Sequence, residues 1–242
     1  MILTSGGQGT RLGLIQPKGL FPIGPISQRT LFQMHCDRLL ALSRRYQVSI
    51  PLFIMTSPAT DAATRAYFEE NDRCGLAEED LIIFCQGSMP AVDAATGKIL
   101  MATTSNLAAL QPRRPWRTGR RARATRLPRT SQTAVSICSP MHKLTTRWPS
   151  YATQSSLAIS LSRSQLTTHV VKKRFAKEKV GSVVSVDGKV QIISTATCLT
   201  RLPNNCDAAG KLKLWAGNIA VHVFDRTFLE SVVTSARRTH RS

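Results

Sequence analysis

The feature that most constrains this chain lies at its start, where Met1-Ile-Leu-Thr4 runs into a loop carrying Gly6, Gly7, Gly9 and Gly13. A short apolar run signals a strand, and clustered glycines signal a turn in which the backbone takes positive φ and bares its N–H groups. Such a turn wraps an anion. Arg11 and Lys18 lie within reach of it and add the charge that a polyphosphate demands. The loop lacks the Gly-Lys-Ser/Thr ending of a P-loop, and its third glycine falls one position late for the dinucleotide fingerprint. With Thr10-Arg11 inside the loop and Pro17-Lys18-Gly19 beyond it, phosphate binding is the expectation.

The next stretch alternates strand and helix signals. Thr30 to Tyr46 reads as a helix, with Leu31, Met34, Leu39 and Leu42 near one face and Arg38, Arg44 and Arg45 outside it. Pro51–Met55 reads as a buried strand closed by Ser57-Pro58, Thr60–Asn71 as a second helix, and Leu81–Phe84 as a third strand. That order implies right-handed βαβ units and an α/β fold with a mostly parallel sheet. Ligands in such sheets lie beyond the carboxyl ends of the strands, where Gly6, Thr56 and Gln86 fall.

The late block reads differently. Gly181–Val186 and Lys189–Ile193 flank Asp187-Gly188 and predict a β-hairpin. Trp215–Phe224 reads as a strand with Ile219, Val221 and Val223 on its core side and His222 facing away, followed by a short helix from Thr227 to Val233. Lys172-Lys173-Arg174 reads as a solvated charge run.

The net charge of +19 would ordinarily point to nucleic acid or an anionic membrane. Its distribution argues otherwise. No Asp or Glu occurs between Asp93 and Glu178, while eight arginines crowd residues 113–129, and the outer blocks are mixed in sign. Residues 109–161 show neither the helical nor the strand period, and a basic, poorly ordered segment is expected there. The six cysteines show no ligand spacing, so free thiols in a cytoplasmic setting are expected and a zinc site is not. No apolar run is long enough to span a bilayer, and no membrane partner is expected. The chain opens directly on a strand, which predicts a segment before it.

The opening motif resembles the signature of the UDP-sugar pyrophosphorylases, most closely the UDP-N-acetylglucosamine type. The resemblance continues through Pro17–Gly24, Arg29–Gln33, Ile54–Ser57, Phe84–Gln86 and Met89-Pro90, and resumes at Leu166–Lys173, Glu178–Gly181 and Trp215–Phe224. It implies a Rossmann-like, GT-A-like nucleotidyltransferase sheet with helices on both faces, incomplete here. The division it implies is a nucleotide-binding part over 1–108, a basic segment over 109–161, and a truncated sugar-binding part of the same domain over 162–242.

Within that resemblance the middle reads as out of frame. Back-translated and read one nucleotide later, residues 110–118 can spell the Pro-Asp-Gly-x-Gly-Gly-Leu loop of the family. Residues 141–158 can spell its Asp-Asn-Pro segment, and residues 194–205 its Tyr-Ser-Asp. Frameshifts over 109–161 and 194–205 are therefore expected, and the excess of arginine would follow from them.

The activity implied is transfer of a uridylyl group from UTP to a sugar 1-phosphate, giving UDP-sugar and pyrophosphate. By the resemblance, Ser5, Gly6, Gly7, Gly9 and Thr10 hold the nucleotide, Arg11 grips the β- and γ-phosphates and Lys18 the α-phosphate. Gln86 would hydrogen-bond uracil, and Gly217 and Asn218 the sugar. A strand-end cap remains the alternative for Gln86, and satisfaction of buried backbone that for Asn218. The family implies Mg2+ on the phosphates, but its carboxylate ligand would fall near Leu144–Arg147, where this chain has no acid. Little or no turnover is expected of the chain as written. Two other readings stand beside this one: a basic nucleic-acid-binding protein using Arg113–Arg129, and a relative that binds UTP without turnover. The oligomeric state is left open.

Overall fold

The computed structural model describes residues 1–7, 16–90, 92–93, 95–100, 165–176, 178, 180–193, 206–207, 210–225, 227–228 and 230–231, with the backbone alone at 88–90, 110–112 and 133–137. By internal packing the chain divides into a first unit, 1–132 with 226–242, and a second, 133–225.

The first unit is built on three parallel strands. β1 (Ile2–Thr4) pairs with β2 (Leu52–Thr56), and β2 with β3 (Leu81–Cys85), all in parallel. Every residue of β2 is buried, as a central strand of apolar and β-branched residues should be. The connections are helical. α1 (Leu31–Tyr46) starts on a capping box: the Thr30 hydroxyl accepts from the Gln33 N–H, and the Gln33 side chain accepts from the Thr30 N–H. α1 ends where Gln47 turns left-handed, and α2 (Asp61–Glu70) follows β2. Both helices pack on the face of the sheet that presents Leu3, Leu52 and Ile54, through Phe32, Cys36, Leu39, Tyr67 and Phe68. Phe53, Met55 and Phe84 cluster on the opposite face.

The buried stripe of α1 differs from the expected one. Leu31 and Leu39 are buried as expected, but the stripe also takes in Phe32, His35 and Cys36, so that 32, 35, 36 and 39 form a regular i, i+3, i+4, i+7 set, while Met34 and Leu42 are only half-buried. A histidine and a cysteine in the stripe hid it. His35 is 1 % exposed, and burial, with Arg38 adding to it, lowers its pKa to about 4. Cys74 packs against the same cluster, and its thiol donates to the Tyr67 hydroxyl at 4.0 Å. Asp72, Arg73, Cys74 and Gly75 all hold positive φ, so this connection is a left-handed knot of backbone beside α1.

Part of the stretch expected to lack regular structure forms strands. β5 (Leu110–Pro112) pairs antiparallel with β4 (Ser88–Pro90) in the first unit, and β6 (Thr133–Ile137) lies in the second. The remainder of 109–161, and all of 194–205, lie outside the described residues.

The second unit is antiparallel. β10 (Ala216–Asp225) is its axis, flanked on one side by β7 (Leu166–Lys172) and on the other by β6 and β8 (Gly181–Val186). β8 forms the expected hairpin with β9 (Lys189–Ile193), and Asp187 and Gly188 both take positive φ, the geometry a two-residue hairpin turn needs. Val221 and Val223 face the core as expected. The alternation fails at Ile219, which is only half-buried, because the register of β10 on β7 shifts between Asn218 and Val221 and Ala220 turns left-handed. Helix is described at 227–228 and 230–231.

Candidate functional site

In the first unit the carboxyl ends of the parallel strands bring several expected residues together. The Ser5 N–H donates to the Met55 carbonyl (2.7 Å) and the Gln86 N–H to the Thr56 carbonyl (2.8 Å), so both residues leave the sheet on ladder-like bonds. The Gln86 side chain then lies on Gly6: a Cβ there would meet its Nε2 at 3.1 Å and its Oε1 at 3.3 Å. A polar amide thus rests on bare backbone. Gly7 is open, with nothing within 4 Å of such an atom. The Ser5 hydroxyl is buried and has no hydrogen-bond partner among the described residues, a costly condition that a ligand oxygen would relieve. Below it Thr60 donates its hydroxyl to the Ser5 carbonyl at 3.1 Å, fixing the strand exit.

Lys18 belongs to a 3-10 turn, Lys18–Leu20, closed by the Leu20 N–H on the Pro17 carbonyl (3.1 Å), and it is 7 % exposed. Gly19 places that turn directly on the ring of Phe32, where no side chain fits. Gly9, Thr10 and Arg11 lie outside the described residues.

In the second unit Gly217 and Asn218 lie in β10, where β7 and β8 both pair with them. Gly217 is wedged, since a Cβ would lie 3.1 Å from both the Val171 carbonyl and Val180 Cγ2. The Asn218 side-chain oxygen accepts from the Ala220 N–H at 2.8 Å and so caps the bulge. The backbone role left open by the sequence is therefore real for that oxygen. His222 faces away from the core, with Nδ1 3.0 Å from the Thr168 hydroxyl and its ring against Phe224. Burial, and then the charge of His169, lower its pKa.

One reading needs correction. Lys173 is not part of a solvated run: it is 3 % exposed, and its Nζ donates to the Ser182 hydroxyl at 2.7 Å. Lys172 ends β7, and its neighbour just past that end is buried.

All fourteen acids of the chain are among the described residues, and no group of three or more His, Cys, Asp or Glu side chains gathers there. Asp61, next to the end of β2, is committed to Thr56 and to Arg65. Burial acts to raise its pKa, but the hydrogen bonds from Arg65 and Thr56 outweigh that and lower it. No helix among the described residues is long and apolar enough to cross a membrane.

Residues 1–113 match the family described as UTP--glucose-1-phosphate uridylyltransferase. The chain is 34% identical over 228 residues to the UDP-N-acetylglucosamine pyrophosphorylase of Saccharomyces cerevisiae, covering 93% of this chain and 48% of that one. It is 30% identical over 258 residues to UDP-N-acetylglucosamine diphosphorylase 1 of Arabidopsis thaliana, covering 98% and 50%. The chain spans about half the length of these relatives. Its fold matches the UDP-N-acetylglucosamine pyrophosphorylase of Trypanosoma brucei, solved with an inhibitor, with a TM-score of 0.75 at 23% identity over 99% of this chain and 49% of that one. The UDP-glucose pyrophosphorylase of Leishmania major has the same fold, with a TM-score of 0.66 at 14% identity over 99% and 52%.

Proposed function

Because the chain belongs to the UDP-sugar pyrophosphorylase family, we propose that it carries the nucleotide- and sugar-recognition elements of uridylyl transfer between UTP and N-acetylglucosamine 1-phosphate. In that reaction a phosphate oxygen of the sugar 1-phosphate attacks the α-phosphorus of UTP in line. The bond from the α-phosphorus to the bridging oxygen breaks, and pyrophosphate leaves with the electron pair. Such a transfer asks the protein to position reactants and to offset spreading charge.

The observation that carries this reading is the Gln86 amide resting on Gly6 at the end of the parallel strands. A primary amide presents N–H donors beside a carbonyl acceptor, and that pair complements the carbonyl and N3–H of uracil. Gly6 and Gly7 let the nucleotide approach the backbone, and the Ser5 hydroxyl supplies a donor. Lys18 offsets charge on the α-phosphate, and Arg11 that on the leaving pyrophosphate. Asn218, its oxygen held by Ala220, offers its amide nitrogen to a sugar oxygen, and Gly217 beside it lets β10 pack closely on Val171 and Val180. Among the described residues no group of three or more His, Cys, Asp or Glu side chains gathers to hold the Mg2+ that serves the family's phosphates, and no step is routed through it. Turnover is accordingly expected to be slow or absent, while binding survives.

Equilibrium binding of UTP and ATP to the full chain, to Gln86→Ala and to Lys18→Met tests this. Wild type should prefer UTP. Gln86→Ala should lose the preference, by about tenfold for a pair of neutral hydrogen bonds. Lys18→Met should weaken both nucleotides together. Equal affinity of wild type for the two nucleotides would overturn the reading.

A further inference from the structure

Lys173 presents a problem that the fold does not resolve by itself. Its ammonium is buried, and its one described partner is the neutral hydroxyl of Ser182. Every Asp and Glu of the chain is among the described residues, and none pairs with it. Burying an ammonium without a carboxylate costs more than one neutral hydrogen bond returns. A methionine of the same length would pack there without that cost.

The gain lies in where the side chain reaches. β7 and β8 flank β10 on opposite edges at Gly217 and Asn218: Val171 pairs with Gly217 from one side, and Ser182 pairs with it from the other. The Lys173 N–H is bonded to the Trp215 carbonyl at 2.9 Å, on the β7 edge, while its Nζ is bonded to Ser182 on the β8 edge. The lysine therefore clips three strands together across the single residue, Gly217, that has no side chain to pack. The next residue is Asn218, whose side chain caps the bulge beyond it. Among the described residues the ladders are interrupted at that stretch, since the register with β8 stops at Asn218 and that with β7 shifts after it.

We propose that Lys173 is a positioning residue for sugar recognition, holding Gly217 and Asn218 in place at a cost in stability. The inference rests on the role of Asn218 in the proposed function. It assigns sugar-nucleotide selectivity to a lysine and a serine acting through Gly217 and Asn218.

The test uses the full chain with Lys173→Met and Ser182→Ala, titrated with UTP and with UDP-N-acetylglucosamine. Amide hydrogen exchange over 216–221 and thermal melting are read alongside. Both variants should bind UDP-N-acetylglucosamine about tenfold more weakly, as the loss of a hydrogen bond to a charged group implies, and UTP within about twofold of wild type. Exchange at Gly217–Ala220 should quicken, and Lys173→Met should melt at or above the wild-type temperature. A purely structural lysine would instead lower the melting point and weaken both ligands alike, which overturns the proposal. So does unchanged sugar-nucleotide affinity in both variants. If Lys173→Met does not fold, the proposal is overturned in its stability clause, and Ser182→Ala alone decides selectivity. A wild type that binds UTP but not UDP-N-acetylglucosamine would remove the parent reading instead, and is seen before any variant is made.

Discussion

Gly19→Ala is the most informative single change in the nucleotide site, because it perturbs Lys18 through packing alone. A Cβ at Gly19 would enter the Phe32 ring, and even the farthest of the three ring atoms it meets, Cε1, would lie 2.6 Å away. Carbon contacts settle near 3.5 Å and the two nearest ring atoms would lie 2.2 Å away, so ring and turn must part by about 1.3 Å. The ring cannot yield easily. It is 1 % exposed and held by Phe68 and Tyr67, at centroid separations of 5.1 and 5.7 Å. Overpacking of this kind costs about 1–3 kcal/mol, or about 2–4 °C of melting temperature per kcal/mol for a chain of this size. The turn is the freer partner, so Lys18 moves with it. Loss of its charge-assisted contact with phosphate should weaken UTP by about 10- to 100-fold. Differential scanning fluorimetry and UTP titration read the two effects. Adding Phe32→Leu should relieve the clash and restore affinity, so that the double-mutant cycle shows a favourable coupling of about 1 kcal/mol or more. Additive losses, or a Gly19→Ala protein that melts and binds like wild type, would refute the reasoning.

Further predictions follow from the same core. His35 is held neutral, with its folded pKa near 4 against 6.5 unfolded, so its contribution is complete above pH 6.5 and is lost as pH falls toward 4. The loss should total about 3 kcal/mol, and urea melts between pH 7 and 4 should show it in wild type but not in His35→Leu. Cys74, its pKa lowered chiefly by the hydrogen bond from Cys36, should be alkylated by iodoacetamide well before the fully buried Cys36, as peptide mass mapping would show. Cys36→Ala should slow alkylation at Cys74. Thr30→Ala removes the α1 cap and a 2.6 Å contact with the Tyr67 hydroxyl, and should cost about 1–2 kcal/mol by chemical denaturation, whereas Thr30→Ser should cost far less.

The elements with a clean period or a strong turn were legible. The hairpin at Gly181–Ile193 follows from alternation around Asp-Gly, and α1 and β2 from a capping Thr30 and an unbroken apolar run. What escaped was polar chemistry inside apolar patterns. His35 and Cys36 sit in the buried stripe of α1 because the 3.6 period, not side-chain polarity, decides what faces the sheet. Lys173 is buried just past the end of β7, beside an exposed Lys172, and the non-alternating burial of Leu166–Lys172 gives it no sequence marker. The bulge after Asn218 has no marker beyond Gly217-Asn218 itself, since a register shift is set by both neighbouring strands at once. The strand segments at 110–112 and 133–137 were invisible because their partners, β4 and β10, lie far away in sequence.

The excess of arginine offers a competing account of any anion binding, because a basic stretch at 113–129 attracts every nucleotide without choosing among them. Hydrogen exchange of the full chain with and without UTP, at about 150 mM salt to screen such attraction, separates the two most directly. The account predicts slowed exchange at Ser5–Gly7, at Lys18–Leu20 and around Gln86, with ATP giving much less. Protection confined to 113–129, or equal protection by both nucleotides, would contradict it.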